Sequence, residues 1–343
     1  MTPTPDIDDP SRYDRPRRHT RPRTKTRPSH DDAVPGLVVT VDRGRFTVQF
    51  DDAAGPGEPR LIVAMKSRPL GRKGVVVGDR VRLVGDVSGA PGSLARIVGI
   101  EPRRTVLRRT ADDDDPVERI VVANATQLVV VTAVADPEPR PRLIDRALVA
   151  AYDAELAPLL CLTKIDLADP EGLLGIYRPL GVPFVVAERG SDLSGVRTSL
   201  RDEVSVLVGH SGVGKSTLVN ALVPGARRLT GHVNTVTGRG RHTSTSAYAL
   251  ELPFGGWVID TPGIRSFGLA HVDPRQLIRA FEDLDAVTRD CPRGCKHGRK
   301  EPECALDEAV ADGSVDAARV DSFRRLLSSR EPADGQSLSA VDP

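Results

Sequence analysis

The sequence predicts a multidomain protein: a small all-β barrel, then an α/β domain with a mostly parallel sheet, then a small α-helical, metal-binding part. Three observations predict it. From Gly36 to Ile100 apolar residues recur with period two in short runs separated by glycine-rich turns, as half-buried strands require. From Ile120 to Val208 the alternation gives way to continuous Val/Ile/Leu runs interleaved with helical patterns, as strands covered on both faces require. Near the end, three of the four cysteines and a histidine fall between Cys291 and Cys304.

Length and composition set the bounds. At 343 residues with 39% hydrophobic content, the chain has room for two or three buried cores. The longest apolar stretch, Leu128 to Ala135, is broken by Thr132 and is far short of the roughly 18 residues of a membrane span. No apolar segment follows the charged amino terminus, so a secretory leader is not expected and the cytoplasm is. With 48 Lys+Arg against 47 Asp+Glu, any affinity for nucleic acid must come from where the charge sits.

Residues 1–33 hold eight Arg or Lys between Arg12 and Arg27 against one acid, Asp14. So little apolar surface cannot offset the entropy of ordering, which predicts a disordered basic arm. Such arms order on RNA, and a solubilising tail is the plainer alternative. Residues 34–107 carry the alternating runs Leu37/Val39/Val41, Phe46/Val48/Phe50, Leu61/Val63/Met65, Val81/Leu83 and Leu94 with Ile97 to Ile100. Five short strands of this kind predict an OB-like barrel. Arg68, Arg72 and Lys73 in one loop, and Arg103, Arg104, Arg108 and Arg109 after the last strand, form either an RNA-facing rim or a solvated one.

Residues 108–270 read as the α/β domain, beyond a linker at Asp112 to Pro116. Strands are expected at Ile120 to Val122, Leu128 to Val134, Leu159 to Leu162, Val182 to Val186 and Val204 to Val208, with a helix over Leu143 to Leu156. The last strand feeds Gly209-His210-Ser211-Gly212-Val213-Gly214-Lys215-Ser216, a G-x4-G-K-S loop, and then a helix from Thr217. Backbone N–H groups converging at a helix start favour phosphate. Gly209 and Gly214 permit the bends, Lys215 reaches the β and γ phosphates, and Ser216 ligates magnesium.

Thr163-Lys164-Ile165-Asp166, at the end of a strand, resembles the guanine-reading N-K-x-D of GTPases. There the carboxylate accepts from guanine N1 and N2, and the lysine stem packs on the base. Adenine offers no such donor pair, and an unpaired buried acceptor costs about 1–3 kcal/mol. Thr163 stands where the motif has asparagine, and a hydroxyl makes fewer contacts than an amide. Val186-Ala187-Glu188 matches a second base-contacting loop through the Ala187 backbone N–H. Asp260-Thr-Pro-Gly263 resembles the D-x-x-G of switch II, with Asp260 reaching magnesium through water and the Gly263 N–H sensing the γ phosphate. Gly240-Arg-His242-Thr243-Ser-Thr245 resembles switch I, with Thr243 completing the magnesium shell. The base reader precedes the phosphate loop, the reverse of ordinary GTPases, so the domain reads as circularly permuted.

Residues 271–343 predict helices over Pro274 to Leu284, Glu303 to Asp312 and Val315 to Leu327. Between them Cys291-x3-Cys295-x-His297-x6-Cys304 supplies three thiolates and an imidazole, a set that suits one structural zinc.

From about residue 34 to 330 the chain resembles the small-ribosomal-subunit-dependent, circularly permuted GTPases, the ribosome biogenesis GTPase A family. G-H-S-G-V-G-K-S, the G-R-H-T stretch and D-T-P-G-I-R-S-F, in this order, carry the resemblance. It implies a monomeric enzyme that hydrolyses GTP to GDP and phosphate when stimulated by the small ribosomal subunit and its rRNA, late in maturation of that subunit. Departures are Thr163, Val186 and a redistribution of one residue between the cysteine spacings. Ile264 stands where many GTPases have a water-orienting glutamine, so intrinsic hydrolysis is expected to be slow. His242 is expected to orient the water, beside Lys215 and Thr243, with His210 the other nearby histidine. The competing readings are a non-catalytic, nucleotide-gated rRNA-binding factor and an ATP-dependent kinase or ATPase.

Overall fold

The computed structural model describes residues 30–50, 60–71, 74–109, 119–226, 247–261, 267, 269 and 272–330. Residues 1–29 of the expected basic arm, Arg72 and Lys73, and the switch residues His242, Thr243, Gly263 and Ile264 lie outside the described residues.

The barrel is built from β1 (Val34–Asp42), β2 (Arg45–Phe50), β3 (Leu61–Lys66), β4 (Arg80–Gly85) and β5 (Ala95–Ile100). Its order is β1-β2-β3-β5-β4, closed by β4 pairing back on β1. Register shifts at Val38/Thr40 and at Arg82/Leu83 supply the bulges that let so small a sheet curl. Phe46, Val48, Ile62, Ala64, Val81, Leu83 and Ile97 fill it. The strand β1 is covered on both sides: Val38 points into the barrel, Leu37 and Val39 pack against the core of the α/β part, and Val41, beyond the bulge and paired with Phe46, touches both cores. Of the alternation that marks β1 in the sequence, Leu37 and Val39 are therefore its outward face, and the bulge turns Val41 toward both cores.

A two-stranded antiparallel ribbon of β6 (Val106–Arg109) and β7 (Arg119–Ala123) follows. Here the sequence expectation needs correcting, because Ile120 to Val122 is not a strand of the covered sheet. Its fully buried Val122 faces Leu107 across the ribbon instead, and β6 runs through the expected domain boundary at 107/108. The ribbon locks to the barrel by a bridge between Val77 and Val122. Gly78, at φ 87°, sits where a Cβ would fall 2.0 Å from the Ala123 carbonyl oxygen, so only glycine allows this approach. Arg103 is consumed at the same junction, its guanidinium paired with fully buried Asp79 at 2.7 and 2.8 Å, and is not part of an exposed basic rim.

The α/β sheet has the order β10-β9-β8-β11-β13-β12, with β8 (Gln127–Ala133), β9 (Ala157–Thr163), β10 (Phe184–Ala187), β11 (Val204–Val208) and β13 (Trp257–Asp260) parallel and β12 (Tyr248–Glu251) antiparallel. Its two faces bury different cores: Leu128 and Val130 of β8 face one, Val129, Val131 and Ala133 the other. Helix α1 (Pro141–Asp153) covers the first face, and α3 (Ser194–Leu200) and α4 (Lys215–Leu222) the second, with α2 (Glu171–Tyr177) between β9 and β10. At Thr40↔Tyr248, β1 meets β12, so barrel and α/β sheet form one eleven-stranded sheet.

The carboxy-terminal helices α5 (Pro274–Ile278), α6 (Glu282–Val287), α7 (Ala305–Ala311) and α8 (Ala317–Ser329) share the α1 core. Phe281 packs edge-on against Tyr152 of α1 and Phe323 of α8, at 5.1 and 5.4 Å between centroids. Arg325 of α8 pairs with buried Asp145 of α1 at 3.0 Å. Asp273 and Asp316 cap α5 and α8 by accepting from the Arg275 and Ala318 N–H groups. No helix among the described residues is long and apolar enough to cross a membrane.

Candidate nucleotide site and metal centre

Five parallel strands end at one edge of the sheet, and the loops leaving them carry most of the chemistry the sequence singles out. Ala133, Thr163 and Ala187 are in register across β8, β9 and β10, as are Leu207 and Asp260 across β11 and β13. Open α/β sheets bind ligands at this end.

The turn after β11 is shaped by its glycines. Gly209, Gly212 and Gly214 have φ of 151°, 86° and 96°, and a Cβ on Gly209 would fall 2.2 Å from the Val131 carbonyl oxygen. Buried Val213 pins the turn to the core, while Ser211, Ser216 and Thr217 are exposed. The Lys215 ammonium donates back to the carbonyls of Gly209 and His210 at 2.6 and 3.0 Å. Burial pushes its pKa below the usual lysine range, opposed by the nearby Asp260 carboxylate. The His210 ring lies beside its own loop, Nδ1 at 2.9 Å from the Ser211 carbonyl.

The loop after β9 is tied to this turn by Thr163, whose hydroxyl donates to the Val213 carbonyl at 2.6 Å. The Thr132 carbonyl lies at 3.2 Å, yet one hydroxyl proton serves one of them at a time, where an asparagine amide has two. Lys164, left-handed at φ 57°, reaches the Asp136 carbonyl and lies 3.9 Å from its carboxylate. Ile165 packs on the core. Asp166 stands exposed, without a side-chain partner among the described residues, and Ala187 is buried beside Thr163. Lys215, Asp166 and Ala187 thus come from loops at the same sheet edge.

Asp260 ends β13 with 5% of its surface exposed. Its Oδ2 accepts from the Tyr248 hydroxyl at 2.9 Å, while Oδ1 is buried with no partner. Burial pushes its pKa up, and the Tyr248 hydrogen bond and Lys215 oppose this. An orphaned carboxylate oxygen on a residue that also interacts electrostatically with Lys215 of the phosphate loop fits a hydrated magnesium ion, which would supply the missing partner. Next to it, the Thr261 hydroxyl donates to the Leu207 carbonyl at 2.9 Å, locking β13 to β11.

Sequence reasoning missed β12, and with it Tyr248. The signal was present: Tyr248, Leu250 and Leu252 alternate, and Pro-Phe-Gly-Gly before Trp257 is a turn, with Gly255 and Gly256 at φ 95° and 88°.

The second cluster lies between α6 and α7. One ligand atom from each of Cys291, Cys295, His297 and Cys304 lies within 4.8 Å of the others. Nδ1 of buried His297 is 3.6 and 3.5 Å from the Cys291 and Cys295 sulfurs. A tetrahedral ion with bonds of roughly 2.0–2.3 Å has ligand-to-ligand edges of roughly 3.3–3.8 Å, so the set fits such an ion. Two backbone N–H groups point at sulfurs, His297 N at Cys295 (3.4 Å) and Ala305 N at Cys291 (3.3 Å), an arrangement that favours thiolates. The backbone around the cluster is held from α8, where Arg324 donates to the His297 carbonyl and pairs with Asp307.

Comparison with known proteins is consistent across sequence and structure. Residues 100–270 match the family model described as RsgA GTPase. The chain is similar to the small ribosomal subunit biogenesis GTPase RsgA of Pseudomonas aeruginosa, 44% identical over 247 residues, covering 69% of this chain and 72% of that one. It is 37% identical over 311 residues to the protein of the same name from Chlorobaculum parvum, covering 87% and 99%. Among solved structures it is similar to YjeQ from Thermotoga maritima, with a TM-score of 0.63 at 28% identity over 87% of this chain and 98% of that one. YloQ, described as a circularly permuted GTPase, shares the fold with a TM-score of 0.63 at 23% identity.

Proposed function

The chain belongs to the RsgA GTPase family and is a GTP-hydrolysing enzyme, and from that premise we propose that it acts on the small ribosomal subunit as a late assembly factor, monomeric and in the cytoplasm. The convergence of the phosphate loop, Asp166 and Asp260 at one sheet edge carries this reading.

In it, the backbone of Gly209 to Gly214 cradles the phosphates, Lys215 leaves its two loop carbonyls for the β and γ phosphates, and Thr217 adds a hydroxyl at the helix start. Asp166 accepts from guanine, Lys164 and Ile165 support the base loop, and the Ala187 N–H contacts the base. Ser216 and Thr243 would hold magnesium, Asp260 would serve it with its carboxylate, and Gly263 would meet the γ phosphate. When bound, the ion neutralises charge on the phosphate oxygens. His242 orients the attacking water. Zinc held by Cys291, Cys295, His297 and Cys304 is structural, since the protein fills all four positions. The domain limits proposed are 1–33, 34–107, 108–270 and 271–343, with β6 crossing the 107/108 limit and the last two sharing a core.

The test is turnover of GTP with and without purified small ribosomal subunits. Stimulation of at least about tenfold is expected, because Ile264 supplies no water-orienting group. Equal rates with and without subunits would remove the subunit as activator.

A further inference from the structure

Tyr248 is the partner of Asp260 twice over. The two residues pair in register across the β12–β13 hairpin, and the hydroxyl donates to Oδ2 at 2.9 Å. Because backbone pairing sets the spacing, the hydrogen bond is built into the sheet. No other side-chain hydrogen bond reaches the Asp260 carboxylate among the described residues; the Thr261 backbone N–H also acts on it, and Oδ1 is buried without a partner. On its other edge Tyr248 meets Thr40 of β1. One residue along, Ala249 shares a core with Val39 of β1, and beyond it Glu251 accepts from the Gln49 side chain of β2 at 3.0 Å. The strand that carries the hydroxyl is thus fixed by the barrel.

We propose that Tyr248 is a positioning residue for magnesium: its hydroxyl holds one carboxylate oxygen of Asp260, so that the other alone is presented to the hydrated ion. This rests on the magnesium reading of Asp260 given above. Without that hydroxyl the carboxylate turns more freely about its last torsion, and a ligand that must be reoriented binds a metal more weakly. Pairing to β1 at the same residue ties that orientation to the barrel.

Tyr248→Phe keeps the ring and removes only the donor. The measurement is the magnesium concentration at half-maximal retention of a fluorescent, non-hydrolysable GTP analogue on the full chain. For Tyr248→Phe it is expected to rise roughly tenfold, with binding in EDTA unchanged. In an Asp260→Asn background, adding Tyr248→Phe is expected to change nothing further, because the group it positions is gone. An unchanged magnesium midpoint in Tyr248→Phe would overturn the proposal. So would an equal rise in the Asp260→Asn background, which would mean that the hydroxyl acts through a group other than Asp260. If the unaltered chain retained the analogue independently of magnesium, the reading of Asp260 itself would fall, and the proposal with it.

Discussion

Replacing Lys215 by alanine is expected to lower kcat/KM for GTP by roughly 10²–10³-fold, about 3–4 kcal/mol of transition-state stabilisation. The ammonium is the charged group at the mouth of a loop otherwise built from backbone, and its bonds to the Gly209 and His210 carbonyls hold it over the place where phosphate oxygens would sit. Burial weakens its hold on its proton; a phosphate restores it, so binding and charging of Lys215 reinforce one another. The loop should survive the change, since its shape comes from glycine conformations and from Val213 in the core. Steady-state kinetics with circular dichroism of the variant checks both halves. A loss smaller than threefold would place the phosphates elsewhere.

The second large effect is expected at the cysteine cluster. Stripping the metal with a chelator, or replacing Cys304 by serine, is expected to lower Tm by roughly 10 °C, the size that follows from losing several kcal/mol of structural metal binding. Cys304 is buried immediately before α7, and neighbouring Leu306 belongs to the core that also holds Phe281, Phe323 and α1. Damage at the cluster therefore reaches the α/β sheet. Differential scanning fluorimetry with metal analysis gives the answer: one zinc per chain and a chelator-sensitive Tm support the site, whereas no bound metal and an unchanged Tm would refute it.

The features legible in the sequence are those in which chemistry is carried by consecutive or nearly consecutive residues. Gly209 to Ser216 needs its glycines and its lysine at fixed spacing because one turn makes the whole phosphate cradle. Cys291 to Cys304 is similar, because a small ion gathers its ligands from a short segment. The barrel and the parallel sheet were legible from hydrophobic period. Pairing partners were not. Ile120 to Val122 is as apolar as a central strand, yet it is matched to β6 by a bridge to Val77 and the close approach at Gly78, contacts distant in sequence. The alternation of Leu37, Val39 and Val41 cannot say which core it faces when both faces are covered. Arg103 reads as a surface charge until Asp79 is found buried beneath it. Tyr248 was hidden because its role depends on a hydrogen bond across a hairpin whose first strand is only four residues long.

The most direct test of the central claim, that Asp166 and Lys215 close on one guanine nucleotide, is a nucleotide-preference measurement with Asp166→Asn. Xanthine carries a carbonyl where guanine carries its 2-amino group, so a carboxylate at 166 repels it and an amide donates to it. The unaltered chain is expected to bind GTP at least about 100-fold more tightly than XTP, and Asp166→Asn to reverse that order. A variant that keeps the preference for GTP would show that the base is read elsewhere, and that the two loops do not share a ligand.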